Sequence, residues 1–354
     1  MDTLDELFEE FRINVRRADL FDAKTPSHGN LDFSKIEGMM WGLAIGDALG
    51  APTESMIPSE RRSEYGEIRD YVAEPVGSDD TQLAFWTLEQ MLDDGGLNPE
   101  RLGERFSREE IVGIGSTVSR FVRNYLSGMP WFECGPTDTA SNGSLMRIAP
   151  MAIPHLRTGG PAVWRETAVS AMLTHNSSGP IASCLAFVRM LWELLDMKEP
   201  PDPNWWLETY VENARELEIE SYSPRDGAYL DFQGPIWRFV AEKVQDAFTQ
   251  DMSVLAACGL WYSGAYLLET MPSVIYILMK HGDDPEEAIV RAATDTKDND
   301  TIAAIVGAAV GALHGREALP ERWRRDLLGR VSPYSQDGEI QGLLDRARDH
   351  WYDG

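Results

Sequence analysis

The sequence predicts an all-α protein, folded as a compact domain of many helices. Three observations carry this expectation. Apolar residues recur at three- and four-residue spacing along most of the chain, as on one face of a helix. Runs with the two-residue alternation of a strand are few. Two apolar stretches, 36–54 and 301–314, are set with small residues, among them Gly38, Gly42 and Gly46 in the first and Gly307 and Gly311 in the second. Small residues at such spacing let a neighbouring backbone approach closely.

In chain order, residues 4–17 set Leu4, Leu7, Phe8, Phe11 and Ile13 among charges, the pattern of an amphipathic helix, ahead of a polar connector at 23–31. The stretch 36–54 reads as a buried helix stopped by Gly50 and Pro52. Residues 55–77 look irregular, with room for one short strand. Helices follow at 81–93, closed by Gly95-Gly96, and at 116–127, 161–173 and 180–196. Residues 197–234 carry Pro, Gly and aromatic residues without a period and read as an insertion or a set of surface loops. Helical patterns resume at 235–249, at 253–280 with a break expected around Pro272, and at 285–294 and 301–314.

With 354 residues, 43% of them hydrophobic, the chain has ample material for a core. A formal net charge of −26 argues against non-specific nucleic-acid binding, which needs a basic surface. It suits a protein that gathers divalent cations, although most of the acidity is solvated surface. The N-terminal stretch MDTLDELFEEF is acidic and amphipathic, unlike a secretory signal. No apolar run reaches membrane-spanning length without interruption. Cys134, Cys184 and Cys258 form neither a disulfide framework nor a zinc pattern. A reducing cytoplasm, with no membrane partner, is the expected setting.

Two stretches share one local device. SDDTQLAF, from Ser78, and DNDTIAAI, from Asp298, each place acidic residues and a Thr at the start of an apolar helix. A single acidic residue there is an ordinary cap, favoured by the unpaired N–H groups and the helix dipole. Capping accounts for either stretch alone better than for the pair. If the two helix starts are adjacent, Asp79, Asp80, Asp298 and Asp300 converge with the hydroxyls of Ser78 and Thr301. Carboxylates that close raise one another's pKa and stay ionised only beside cations. Hard oxygen donors without His or Cys suit Mg²⁺, Ca²⁺ or Mn²⁺ rather than Zn²⁺. Two cations match four carboxylates.

These stretches and three others, in one order along 36–315, resemble the ADP-ribosylglycohydrolase family, the group that includes dinitrogenase reductase-activating glycohydrolase. The matching pieces are GLAIGDALGAPTE (42–54), SDDTQLAF (78–85), NGSLMRIAPMAI (142–153), THNSSGPIAS (174–183) and DNDTIAAIVGAAVGALHG (298–315). The resemblance implies an orthogonal all-α fold, two Mg²⁺ ions (or Mn²⁺) in a cleft, and hydrolysis of the bond between C1″ of ADP-ribose and an acceptor. An ADP-ribosylglycohydrolase-like domain would span 31–354, interrupted at 197–234, behind an N-terminal helical extension, 1–30.

Carried over by position, the resemblance implies metal ligation by Ser78, Asp79, Asp80, Asp298, Asp300 and Thr301. Glu54 would be the catalytic acid/base or a gate, working with Asp80 and Asp300. The loop Ser141, Asn142, Gly143 and Ser144 would hold the diphosphate on backbone N–H groups, a task that small residues suit. His175 matches a position near the ligand, and a lone His there also serves as a structural hydrogen-bonding residue. Ser78 stands where the family usually has Thr and keeps the hydroxyl. Thr296-Lys297 stands where Gly-Gly is common, which is expected to change the fit of the ribose and acceptor, and Asn299 replaces a Thr. Lys297 would donate to a phosphate, neutralise the acids, or point to solvent.

The expected substrate is an ADP-ribosylated protein side chain, arginine foremost, or a small molecule. A second reading keeps the fold without turnover, binding ADP-ribose or a protein partner such as a toxin, as an immunity protein does, through residues 197–234. A third compares DDTQLAFWTLEQMLDD and NDTIAAIVG with the aspartate motifs of isoprenoid synthases. Those motifs want an Asp where Leu83 stands and a Ser/Thr and Glu where alanines and Val306 stand.

Overall fold

The computed structural model describes residues 3–29, 31–334 and 338–353. The first half carries α1 (Thr3–Glu9), α2 (Phe33–Gly50), α3 (Pro58–Tyr65), α4 (Asp79–Asp94), α5 (Pro99–Arg108), α6 (Ser116–Leu126), α7 (Trp131–Cys134) and α8 (Ala162–Thr174). The second carries α9 (Ser178–Asp196), α10 (Pro203–Leu217), α11 (Ile236–Thr249), α12 (Val254–Leu260), α13 (Leu267–His281) and α14 (Pro285–Asp295). It closes with α15 (Asn299–His314), α16 (Glu321–Asp326) and α17 (Ile340–Trp351). Among the described residues, β-pairing is confined to isolated bridges, Ser141–Tyr266, Tyr222–Gly234 and Arg330–Glu339. The fold is all-α.

At its centre α2 and α15 run antiparallel with almost no side chain between them. A Cβ built on Gly38 would lie 2.4 Å from the Gly311 carbonyl oxygen, one on Gly42 2.1 Å from that of Gly307, and one on Gly46 2.0 Å from that of Ala303. At the end of the seam, a Cβ on Gly50 would meet the Asp300 backbone at 2.4 Å. The small residues of both stretches are therefore one device, and it sets the C-terminal end of α2 against the N-terminal end of α15. Both helices are buried along nearly their whole length.

Several boundaries differ from the sequence reading. The first helix ends at Glu9 instead of continuing to residue 17. Phe11 takes a left-handed conformation (φ 54°), and the Arg12 N–H reaches back 2.8 Å to the Leu7 carbonyl, a Schellman-type stop without its usual glycine. Residues 58–65 form a helix rather than a strand or loop. Its sequence PSERRSEY has no apolar period to betray it. Its anchor is Arg61, fully buried, whose guanidinium donates to the carbonyls of Thr53, Met56, Thr294 and Thr296. Residues 203–217, read as loop, are the helix α10, started by Pro203 and capped by the Asp202 carboxylate on the Asn204 N–H at 2.9 Å. The prolines that suggested irregularity there are the start signal.

The break in 253–280 comes at 261–266, and Pro272 stays inside α13. Tyr262 and Ser263, both left-handed (φ 73° and 50°), make the break. The helix Ser178–Asp196 is long and apolar enough to cross a membrane by length and composition, but 89% of that window is buried inside the protein.

Candidate active site

The starts of α4 and α15 meet at the open end of the α2–α15 seam. Thr301 Oγ1 donates to Asp80 Oδ2 at 3.3 Å, as does Ser78 Oγ at 3.2 Å. Ligand atoms of Asp47, Asp80 and Asp300 lie within 4.8 Å of one another, and so do those of Glu54, Asp298 and Asp300. Two groups of three carboxylates thus share Asp300. Asp80 Oδ1 and Asp300 Oδ1 are buried and have no hydrogen-bond partner among the described residues. Burial first, and neighbouring carboxylates second, push Asp80 and Asp300 well above the usual carboxylate range. The same causes raise Asp79, whose carboxylate also accepts from the Gly115 N–H. Asp298 is pushed up to about 7 by burial, against the lowering effect of the Asn142 amide. Such a set fits hard divalent cations, since oxygen donors aimed inward without partners are what an ion would satisfy.

Asp47 was not foreseen. It sits on α2 in IGDALG, fully buried, and accepts from Ser78 N (2.8 Å), Ser78 Oγ (2.9 Å), Thr81 N (3.0 Å) and Thr81 Oγ1 (2.6 Å). It holds the start of α4 against α2. The available signal was a carboxylate between Gly46 and Ala48, in the apolar part of the helix.

Facing the acids is a neutral polar wall. His175 is fully buried between Ser141 Oγ (2.9 Å from Nε2) and Thr174 Oγ1 (2.9 Å from Nδ1). Burial, with the nearby Arg147 charge second, pulls its pKa down to about 3, so the ring is neutral. Ser141 Oγ also donates to Thr117 Oγ1 at 2.8 Å. Asn142 joins the two walls, its amide donating to Asp298 Oδ2 at 2.6 Å and Thr270 Oγ1 at 3.0 Å. Between the walls lies a cleft lined by Glu54, Asp79, Asp298, Asp300 and Thr301 on one side and by Thr117, Ser141, Asn142, Gly143 and His175 on the other.

The sequence model for ADP-ribosylglycohydrolase matches residues 29–353. The chain belongs to the ADP-ribosylglycohydrolase family. Members of this family are hydrolases, and so is this enzyme. It is 25% identical over 301 residues to the ADP-ribosyl-[dinitrogen reductase] glycohydrolase of Rhodospirillum rubrum, covering 81% of this chain and 87% of the relative. It is 24% identical over 307 residues to the ADP-ribosylarginine hydrolase Tri1 of Pseudomonas putida, covering 82% and 73%. A solved structure titled ADP-ribosylglycohydrolase-related protein complex shares the fold, with a TM-score of 0.64 at 21% identity over 90% of this chain and 97% of that one.

Within this ADP-ribosylglycohydrolase, most of the residues singled out from sequence come together. Ser78, Asp80, Asp298, Asp300 and Thr301 cluster as described, and Glu54 stands at the exposed end of the cleft, raised by burial and then by Asp47. Asp79 lines the cleft beside them. The Ser141–Ser144 loop fits its assigned task only in part. The Ser141 and Asn142 N–H groups are committed to Thr139 Oγ1 and the Ala265 carbonyl. The Ser144 side chain points into the core, accepting from Cys184 Sγ at 3.5 Å. Lys297 is not among the cleft-lining residues; its ammonium lies 5.1 Å over the Tyr262 ring. Thr296 turns back onto α14, its hydroxyl on the Ala292 carbonyl at 2.7 Å, so neither replacement for Gly-Gly fills the cleft. Asn299 is also turned inward, donating to Gly50 O, Thr53 Oγ1 and Ala293 O.

Proposed function

We propose that this enzyme removes ADP-ribose from a modified protein side chain, arginine foremost, with two Mg²⁺ ions held by the carboxylate wall. The observation that carries this reading is the pair of three-carboxylate groups sharing Asp300, with two buried oxygens left without partners. Asp80, Asp298 and Asp300 would hold the metal, with Ser78, Asp79, Thr301, Asp47 and Glu54 around them; Mn²⁺ fits the same oxygens. Bound metal would neutralise the acids, position ribose hydroxyls and polarise a water.

The chain's own residues supply the rest. Asn142 fixes the Asp298 carboxylate, and Asp47 fixes the helix start that carries Asp80. Glu54, open to solvent and raised above the usual range, is placed to exchange a proton with a water attacking C1″. The water oxygen bonds to C1″, the bond from C1″ to the acceptor breaks, and the acceptor leaves with a proton. An acceptor guanidinium suits the acidic mouth of this cleft, and the name of the Tri1 relative points the same way. The test is release of ADP-ribose from a protein ADP-ribosylated on arginine, with Mg²⁺ and again after chelation. Release that survives complete chelation would sink the metal-dependent reading.

A further inference from the structure

Residues 218–234, the part of 197–234 that lies outside α10, deliver one side chain to the cleft: Arg225. Its Nη2 lies 3.2 Å and its Nε 3.4 Å from the carboxylate of Glu269, which is fully buried on α13. Its guanidinium carbon stands 4.5 Å over the Tyr266 ring. Tyr266 is in turn bridged to Ser141, with the Asn142 N–H on the Ala265 carbonyl at 3.2 Å and the Leu267 N–H on the Ala140 carbonyl at 2.7 Å. A buried acid and an aromatic face therefore fix the guanidinium beside the 140–142 loop. About half of the Arg225 side chain remains exposed, and no described residue bonds to its Nη1.

Among the described residues lining the cleft, Arg225 is the only one with a positive charge, because His175 is neutral. The polar groups of the opposite wall largely satisfy one another. An anion entering beside that wall has one strong partner there, and a planar guanidinium held on one edge presents its free edge to phosphate oxygens.

We propose that Arg225, set by Glu269 and Tyr266, binds the diphosphate of the ligand and makes the cleft selective for nucleotide diphosphates over nucleosides. The ligand class rests on the proposed function. The experiment is calorimetric titration of ADP-ribose, ADP and adenosine into the Mg²⁺-loaded protein, wild type and variants. Arg225→Gln should weaken ADP-ribose and ADP by about 10-fold or more and leave adenosine unchanged, since a lost charged hydrogen bond has that size. Arg225→Lys should recover part of the loss. Glu269→Gln, which keeps Arg225 and removes its tether, should cost ADP-ribose and ADP affinity by a smaller factor, roughly 3-fold. Circular dichroism and Tm of each variant establish that it is folded.

Equal binding of ADP-ribose by wild type and folded Arg225→Gln overturns the assignment and leaves the proposed function standing. Wild type that binds ADP in an Arg225-dependent way but not ADP-ribose overturns the function and leaves the assignment. Binding of neither diphosphate by wild type overturns both.

Discussion

On one side of the cleft, Asp47, Asp79, Asp80, Asp298 and Asp300 crowd together, each raised by its burial. Across from them Thr117, Ser141 and His175 form a continuous chain of hydrogen bonds that ends on a neutral imidazole. On the acid side Asp80 Oδ1 and Asp300 Oδ1 are buried without a hydrogen-bond partner among the described residues, a need that a cation would satisfy. The neutral side is complete without a ligand. Burial acts on both and moves their pKa values in opposite directions, carboxylates up and imidazole down. One wall is suited to take up charge and the other to keep its shape.

Breaking the acid wall should give the largest effect. Asp300→Asn removes the carboxylate shared by both groups, and turnover with Mg²⁺ should fall by roughly 100-fold or more, above the range seen when a residue merely supports a ligand. Activity within a few-fold of wild type would show that Asp300 is not shared by two ions. Asp47→Asn, measured by titrating activity against Mg²⁺, should weaken metal affinity by roughly 10- to 100-fold, because Asp47 lies in one carboxylate group and also fixes Ser78 and Thr81.

Gly42→Ala should separate the walls in a different way. Its Cβ would lie 2.1 Å from the Gly307 carbonyl oxygen, so α2 and α15 must part. A loss of about 1–3 kcal/mol in unfolding free energy is expected, with weaker Mg²⁺ binding, while His175 and Ser141 keep their bond.

The pH dependence sharpens the contrast, because the signs differ. A carboxylate raised in the folded state binds protons that the unfolded chain has lost, so its contribution declines as pH rises, for Asp298 from about 4 to about 7. Metal binding offsets that loss. The increase in Tm produced by Mg²⁺ should therefore grow between pH 5 and pH 8, by several degrees, and scanning calorimetry with and without chelator reads it directly. His175 behaves the other way. Its folded pKa, lowered to about 3 from the ordinary 6.5, gives stability that is full above pH 6.5 and declines as pH falls towards 3. His175→Gln should flatten the acid limb of the stability profile and leave the Mg²⁺ titration nearly unchanged, the smallest effect of the set.

How far this was legible in the sequence follows from the same contrast. Asp80 and Asp300 could be read because a doubled acidic helix start exceeds what capping requires. Asp47 was harder to read, since a carboxylate in the apolar part of a helix does not say which other element it faces. Four small residues at 141–144 suggest a turn but do not say which side chain faces inward, and Ser144 does. The prolines before α10 and the polar face of α3 hid two helices whose stability comes from buried Trp206 and Tyr210 and from Arg61. Arg225 lies in a segment without periodicity, so only its tertiary partners give it a role.

The glycine seam also bears on alignment. Its repeat of four residues means that sliding α2 by one turn along α15 would still bring small residues opposite one another at most contacts. Steric fit alone does not select one register from the next. Asn299 does, by its bonds to the Gly50 carbonyl and Thr53 at one end of the seam. A slip of one turn, about 5.4 Å, would break those bonds and carry Asp47 out of reach of Asp300. The amide that replaces a threonine in the last acidic stretch thus works as a pin that keeps two sliding rods in phase.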